Sequence, residues 1–386
     1  MKKSCLLIRV LRSIFCRFEF CSSNVGMNDP DDLSNLTAST AITEKPALQC
    51  VEKYENYEET EKWLLGVVAL PFIVIGLMAN GMSVLIFSHR HMRQQKTNWY
   101  LMILAVSDSV ILIGAFFVLT LPRLGELSHF WNLTAIGYHS SPYLYASMTL
   151  AQTISVWMTA AMSVHRFVGV CLPFKAGNLL DTRNVKILIG SVIVLSVLFN
   201  TTRFFEVEVV EVCRMVPINV ELPVLKPTDL RTNPLYVKVF YEWAYTLIMF
   251  AIPFTILIVV NSMVILAIHR SRQVHAKLNV YDDGTRKQEL AKEISTSIML
   301  VAIVLAFLFC NTLGFIVNMM EKLKLYDLYV KLVPFSNFLA LVNASINICI
   351  YCMFSEKYRQ LFWYYLQFIR CDKKAENSFQ IISSNF

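Results

Sequence analysis

The chain has 386 residues, 55% of them hydrophobic and only 16% charged, against about 25% charged in an ordinary soluble domain. That balance excludes a small soluble domain and demands burial in lipid or in a very large core. The net charge of +7 does not require nucleic acid, because the cations gather in short segments between apolar runs.

Taken in chain order, residues 1–62 read as a polar extracellular arm. Its start, Met1-Lys2-Lys3, resembles the basic region of a leader, but Arg9, Arg12 and Arg17 interrupt the apolar stretch that a cleaved signal needs. The first apolar span then serves as the insertion signal. The remainder, acidic from Asp29 to Glu61, reads as a flexible, largely disordered tether.

Seven apolar runs follow, at 63–88, 97–122, 140–164, 187–202, 243–268, 294–320 and 332–355. Crossing the hydrocarbon layer takes about 20 such residues, so all but the fourth are long enough unaided. The fourth continues through Arg203 into Phe204 and Phe205. The expected fold is an all-α membrane protein, a seven-transmembrane helix bundle over 63–355. Phe354, Tyr358, Leu361, Phe362, Tyr365, Leu366 and Ile369 then recur at helical spacing, which predicts a short amphipathic eighth helix on the membrane surface over 356–370. Residues 371–386 form a cytoplasmic tail.

Segments after spans 1, 3, 5 and 7 hold 18 Lys and Arg, against nine after spans 2, 4 and 6. The positive-inside rule then places the N-terminus outside and the C-terminus in the cytosol of a multi-pass plasma-membrane protein. The sequons at Asn35, Asn132 and Asn200 fall outside on this topology, as glycosylation requires. Asn343 also heads a sequon but lies within span 7.

Polar side chains inside the runs are few: Asn80, Asp108, Ser155, Asn343 and Asn347. Each needs a partner or a task in hydrocarbon. Two readings stand: hydrogen-bonded glue between helices, or a carboxylate-centred water and cation site.

An ordered set of segments, in spans 1, 2, 3, 5, 6 and 7, carries a resemblance. These are Asn80-Gly-Met-Ser-Val84, Leu104-Ala-Val-Ser-Asp108, His165-Arg166-Phe167 with Val170-Cys-Leu-Pro173, Pro253, Phe307-Leu-Phe-Cys310 and Asn347-Ile-Cys-Ile-Tyr351. From residue 63 to 371 the chain resembles rhodopsin-like (class A) G-protein-coupled receptors. Within them it is most similar to invertebrate FMRFamide-type neuropeptide receptors, through Gln152-Thr-Ile-Ser-Val-Trp157, Phe204-Phe-Glu-Val207 and Cys310-Asn311. The resemblance implies a peptide ligand outside and a heterotrimeric G protein inside.

It also implies roles. Asp108, Ser155, Asn343 and Asn347 become a sodium and water site, with a sodium ion at Asp108 and no other cofactor. Arg166 and Tyr351 become parts of the G-protein switch. Glu293, at the start of span 6, restrains Arg166 or is a solvated charge. Several positions depart from the family pattern: His165 for the acid beside Arg166, Asn311 and Leu313 for Trp and Pro of span 6, Ile348 for the proline of span 7, and Asn261 for a span 5 tyrosine. The family's disulfide to span 3 has no cysteine there, since Ser141 occupies the position. Cys213 is therefore assigned to Cys50 or left as a free thiol, and Cys371 is a lipidation site or an unmodified thiol.

For the ligand pocket, Glu242, Glu321, Tyr145, Met148 and Gln152 are the candidates, with Trp243 and Phe240 as further aromatic walls. The bland alternative pairs Glu242 with Lys238 or Arg203. Leu341 stands where an opsin needs lysine, and Met148 where an amine receptor needs aspartate. A membrane hydrolase would need metal ligands among spans that hold almost no histidine, and a transporter would show repeated halves. A receptor-shaped protein that signals weakly, or binds another non-amine ligand, is the remaining alternative.

The topology makes a direct prediction. A tag placed ahead of residue 63 is expected to bind antibody on intact cells, and one after Phe386 only on permeabilised cells, by flow cytometry. The reverse pattern contradicts the assignment.

Overall fold

The structure, a computed structural model, describes residues 50–277 and 284–369, with side chains over 50–270 and 294–366. Seven described helices are long and apolar enough to cross a bilayer: Glu59–Ser88, Thr97–Leu127, Trp131–Cys171, Thr182–Phe205, Pro234–Arg270, Ile294–Lys322 and Tyr326–Phe354. They are spans 1 to 7; the first six contain the matching apolar run, and the seventh stops one residue short of its end, at Phe354. Most are longer than the run, because a helix satisfies its own backbone whatever its side chains are.

The extensions of spans 4 and 5 start at capping residues that an apolar scan passes over. Span 5 begins nine residues before its apolar run, where the Asn233 side chain accepts from the N–H of Leu235 at 2.9 Å and Pro234 opens the helix. Asp181 caps span 4, accepting from the N–H of Arg183 at 3.3 Å. Backbone N–H groups of Thr182 and Arg183 hold its carboxyl below the usual carboxylate range.

Span 3 is the central helix, packed on spans 2, 4 and 5, while span 7 packs on spans 1, 2 and 6. Spans 1 and 7 approach so closely that a Cβ on Gly76 would lie 2.5 Å from Ser345 Oγ, so only glycine fits there. Outward-facing Met78, Leu195 and Phe309 are 72%, 64% and 75% exposed, an apolar exterior that suits lipid and not water.

A three-stranded sheet lies at the end of the bundle where span 3 begins. Strand β1 (Val51–Lys53) runs parallel to β2 (Val207–Val216), which pairs antiparallel with β3 (Val220–Pro227). The β2–β3 turn uses Asn219 at φ 59°, a left-handed conformation that asparagine tolerates. A disulfide joins Cys50 to Cys213.

The end of the expected tether is therefore folded. Span 1 begins at Glu59 and not at residue 63, and two tyrosines before it and Glu61 in its first turn are built into the bundle. Tyr54 donates its hydroxyl to Glu126 Oε2 at 2.8 Å, and the N–H of Tyr57 reaches the same oxygen at 3.2 Å. Burial pushes both phenols well above their usual range. Glu61 pairs with Arg123, and both are almost fully buried; Lys62 lies 3.4 Å from Glu126. Composition marks Glu61 as solvated, but span 2 contributes its cation, Arg123. Removing one partner of such a buried pair costs about 3–5 kcal/mol, because it strands the other charge.

After span 7 a helix covers Glu356–Ile369, as expected for the amphipathic segment. Tyr358 and Leu361 face inward and Trp363 faces out. The Tyr358 hydroxyl lies 2.7 Å from Ser83 Oγ of span 1.

Candidate functional site

A cavity of about 150 Å³ opens between spans 2, 3, 5, 6 and 7. Tyr145, Met148 and Gln152 line it at successive turns of span 3, and Glu321 lines it from the end of span 6. Glu321 is the acidic side chain among the lining residues. The polar lining is otherwise mostly amide, with Gln152, Asn311, Asn318, Asn337 and Asn343 all on the wall.

Glu242 does not take the expected place. Its side chain is exposed, it is absent from the lining, and its backbone carbonyl accepts from the Lys322 ammonium. Trp243 is 62% exposed and also faces away. The cause is the phase of span 5, which runs as wide π-helical turns over Val237–Tyr245 and Leu247–Ala251. These turns present Tyr241 and Tyr245 to the cavity and carry Glu242 and Trp243 outward. Phe240 stacks on Tyr236 and Phe199 behind the wall. The second-loop acids Glu208 and Glu211 are exposed on β2.

Arg203, expected only to continue span 4 or to pair with Glu242, is part of the site. It is 3% exposed, lines the cavity, and lies 3.5 Å from the fully buried Glu206. Its Nη1 donates to the Tyr241 hydroxyl, which donates onward to Glu206 Oε2. Tyr236 donates to Glu206 Oε1 at 2.6 Å. Rings of Tyr241, Phe240 and Tyr245 surround the guanidinium at 4.3, 5.1 and 5.2 Å, a cation–π cage. The signal was available: an arginine inside an apolar span with a glutamate three residues on, on the same helix face.

Below the cavity, Asp108 is fully buried and accepts from Ser155 Oγ at 3.2 Å and from Asn347 Nδ2 at 2.7 Å. One carboxylate thus ties spans 2, 3 and 7. Asn343 lines the cavity nearby. Tyr351 is buried with its ring edge-on to Phe87 at 5.2 Å, and its hydroxyl meets no hydrogen-bond partner among the described residues.

At the far end of span 3, Arg166 is half-buried. His165 packs on Tyr100, with Nδ1 3.4 Å from the phenol oxygen. Glu293 lies in the helix Gly284–Lys322, but its side chain, and with it the expected restraint on Arg166, is outside the described residues. So are Asn35 and Cys371.

Asn200 is a correction. Only 2% of it is exposed, and its amide donates to Thr153 Oγ1 and to the Ser196 carbonyl, both at 2.9 Å. A glycosylation acceptor must reach an enzyme in the lumen, and this side chain points into the bundle against span 3. Asn132 is exposed on the first turn of span 3.

A seven-helix bundle with a lined cavity at one end, a buried aspartate beneath it and an arginine at the other end of span 3 is the plan of a membrane receptor. The chain belongs to the family described as 7 transmembrane receptor (rhodopsin family), whose profile matches residues 79–351. It is 28% identical to the FMRFamide receptor of Drosophila melanogaster over 81% of this chain and 56% of that protein. It is 30% identical to the Caenorhabditis elegans probable G-protein coupled receptor frpr-1, over 82% of this chain and 83% of that one. The FMRFamide peptide receptor frpr-18 of the same nematode is 27% identical over 77% and 68%. The chain thus spans just over half the length of its Drosophila relative.

Proposed function

We propose that the chain is a cell-surface receptor for an amidated, FMRFamide-like neuropeptide and passes binding on to a heterotrimeric G protein. The observation that carries the ligand class is the cavity itself: an amide-rich, aromatic wall with a single carboxylate, Glu321, at its rim. Relatives named as FMRFamide receptors support the same class. The excess of Lys and Arg after the odd-numbered spans supports an N-terminus outside. The Cys50–Cys213 disulfide supports it too, since it puts the sheet end in an oxidising compartment. Arg166 then lies at the cytosolic end, where a G protein docks, and the surface helix and apolar exterior meet lipid.

In this reading Glu321 receives the ligand's Arg side chain, the task that exposed Glu242 is not placed to perform. Guanidinium and carboxylate form a charge-assisted, often bidentate pair, and truncating one partner of a desolvated pair typically costs roughly 2–5 kcal/mol.

A sodium ion fits the site under the cavity. Asp108, Ser155 and Asn347 offer oxygen ligands, and among the described residues no cationic side chain is paired with the fully buried Asp108. A bound cation would neutralise that carboxylate and hold spans 2, 3 and 7 together in the ligand-free form.

Glu321→Gln is expected to weaken the peptide Phe-Met-Arg-Phe-amide by roughly tens-fold or more, with no additional loss when the peptide's Arg is replaced by citrulline. Glu242→Gln should leave potency within about threefold. Arrestin or G-protein sensors read both, and full potency in Glu321→Gln at normal surface level contradicts the assignment. Replacing choline chloride by sodium chloride should lower agonist affinity in the parent and not in Asp108→Asn; equal salt sensitivity in both would remove the sodium site.

A further inference from the structure

The peptide reading leaves one feature of the cavity wall without a task. Arg203 and Glu206 are a complete ion pair, both almost fully buried, and Arg203 forms part of the lining. Two tyrosines fill both oxygens of Glu206. The aromatic cage covers the faces of the guanidinium, so what remains of its donor capacity lies at its edge. The buried Nε has no acceptor among the described residues. A wall of this kind offers donors to a ligand while its charge is already cancelled.

Ligand groups separate sharply on such a wall. A neutral carbonyl gains a charge-assisted hydrogen bond from the guanidinium and meets no net repulsion from the pair. A carboxylate meets the same donors together with the negative charge of Glu206 a few ångströms behind them. Like charges placed together out of water are strongly disfavoured. The rest of the lining agrees, because Gln152, Asn311 and Asn318 present paired donor and acceptor groups of the sort that match a primary amide.

We infer that the wall built on Arg203 and Glu206 is the subsite for the ligand's terminal carboxamide, and that Glu206 excludes the free-acid form. This rests on the peptide reading above and adds the residues that select the terminus. Glu206 acts through Arg203 and is a positioning and selectivity residue, not a direct ligand contact. The arrangement also separates the two ends of an Arg-Phe-amide dipeptide: the guanidinium goes to Glu321 and the terminus to Arg203.

The test compares Phe-Met-Arg-Phe-amide with its free acid on the parent receptor and on Glu206→Gln, with surface level measured independently. In the parent the acid is expected to be at least about tenfold weaker. In Glu206→Gln the uncompensated Arg203 should accept the acid, and the amide-to-acid ratio should shrink by about tenfold or invert. An unchanged ratio in a well-expressed Glu206→Gln receptor overturns the inference. Should that variant not reach the surface, the methyl ester decides on the parent alone. Neutral and carrying the same carbonyl, it should act closer to the amide than to the acid, and an ester as weak as the acid overturns the inference. If no form of the peptide activates the parent, it is the ligand class that fails.

Discussion

A charge carried into a hydrocarbon layer has to bring its partner with it, and the arrangement of this bundle depends on that at three places. Glu61 and Arg123 bind the start of span 1 to the end of span 2. Arg203 and Glu206 close the end of span 4, and span 5 is drawn onto them through Tyr236 and Tyr241. Each pair is costly to break from one side, so the helix ends around the cavity are fixed relative to one another. The sheet is held over the same end by the Cys50–Cys213 disulfide and by the bonds from Tyr54 and Tyr57 to Glu126.

Asp108 is the third place, and it differs in kind. Its partners are a hydroxyl and an amide, which bond a carboxylate without cancelling its charge. Three spans therefore converge on a group whose charge state remains open to a cation or a proton. Tyr351, whose buried hydroxyl meets no hydrogen-bond partner among the described residues, lies on span 7 one turn beyond Asn347. An unsatisfied buried group of this sort is a store of free energy that another conformation can release, which suits a receptor that changes state. The cavity, with Ser155 and Asn343 on its wall, adjoins this site, so the proposed peptide would sit on the same stretches of spans 3 and 7 that hold Asp108.

The number and order of spans were legible in the sequence because an uncharged run of about 20 residues has few other uses. The pocket faces of span 3 were legible too, since Tyr145, Met148 and Gln152 follow regular helical spacing and the structure puts all three on the cavity. Span 5 was not, because its π-helical turns shift the phase that a regular helix would give, exchanging Glu242 and Trp243 for Tyr241 and Tyr245. The folded end of the arm was hidden for another reason: Glu61 looks solvated until Arg123, 62 residues on, is brought beside it. Asn200 failed as a sequon because its apolar neighbours belong to span 4, and the helix turns its amide onto Thr153. For Cys213 the sequence left Cys50 and a free thiol open, and the structure pairs the two cysteines.

If an amidated peptide lays its last two residues across this cavity, as proposed, a structure of the receptor bound to Phe-Met-Arg-Phe-amide will show it there. The peptide's guanidinium is expected within hydrogen-bond distance of Glu321 and its terminal carbonyl against Arg203, with Glu206 still held by Tyr236 and Tyr241. A peptide that ends elsewhere in the bundle, or that places its C-terminus toward the sheet and its N-terminus inward, would contradict it.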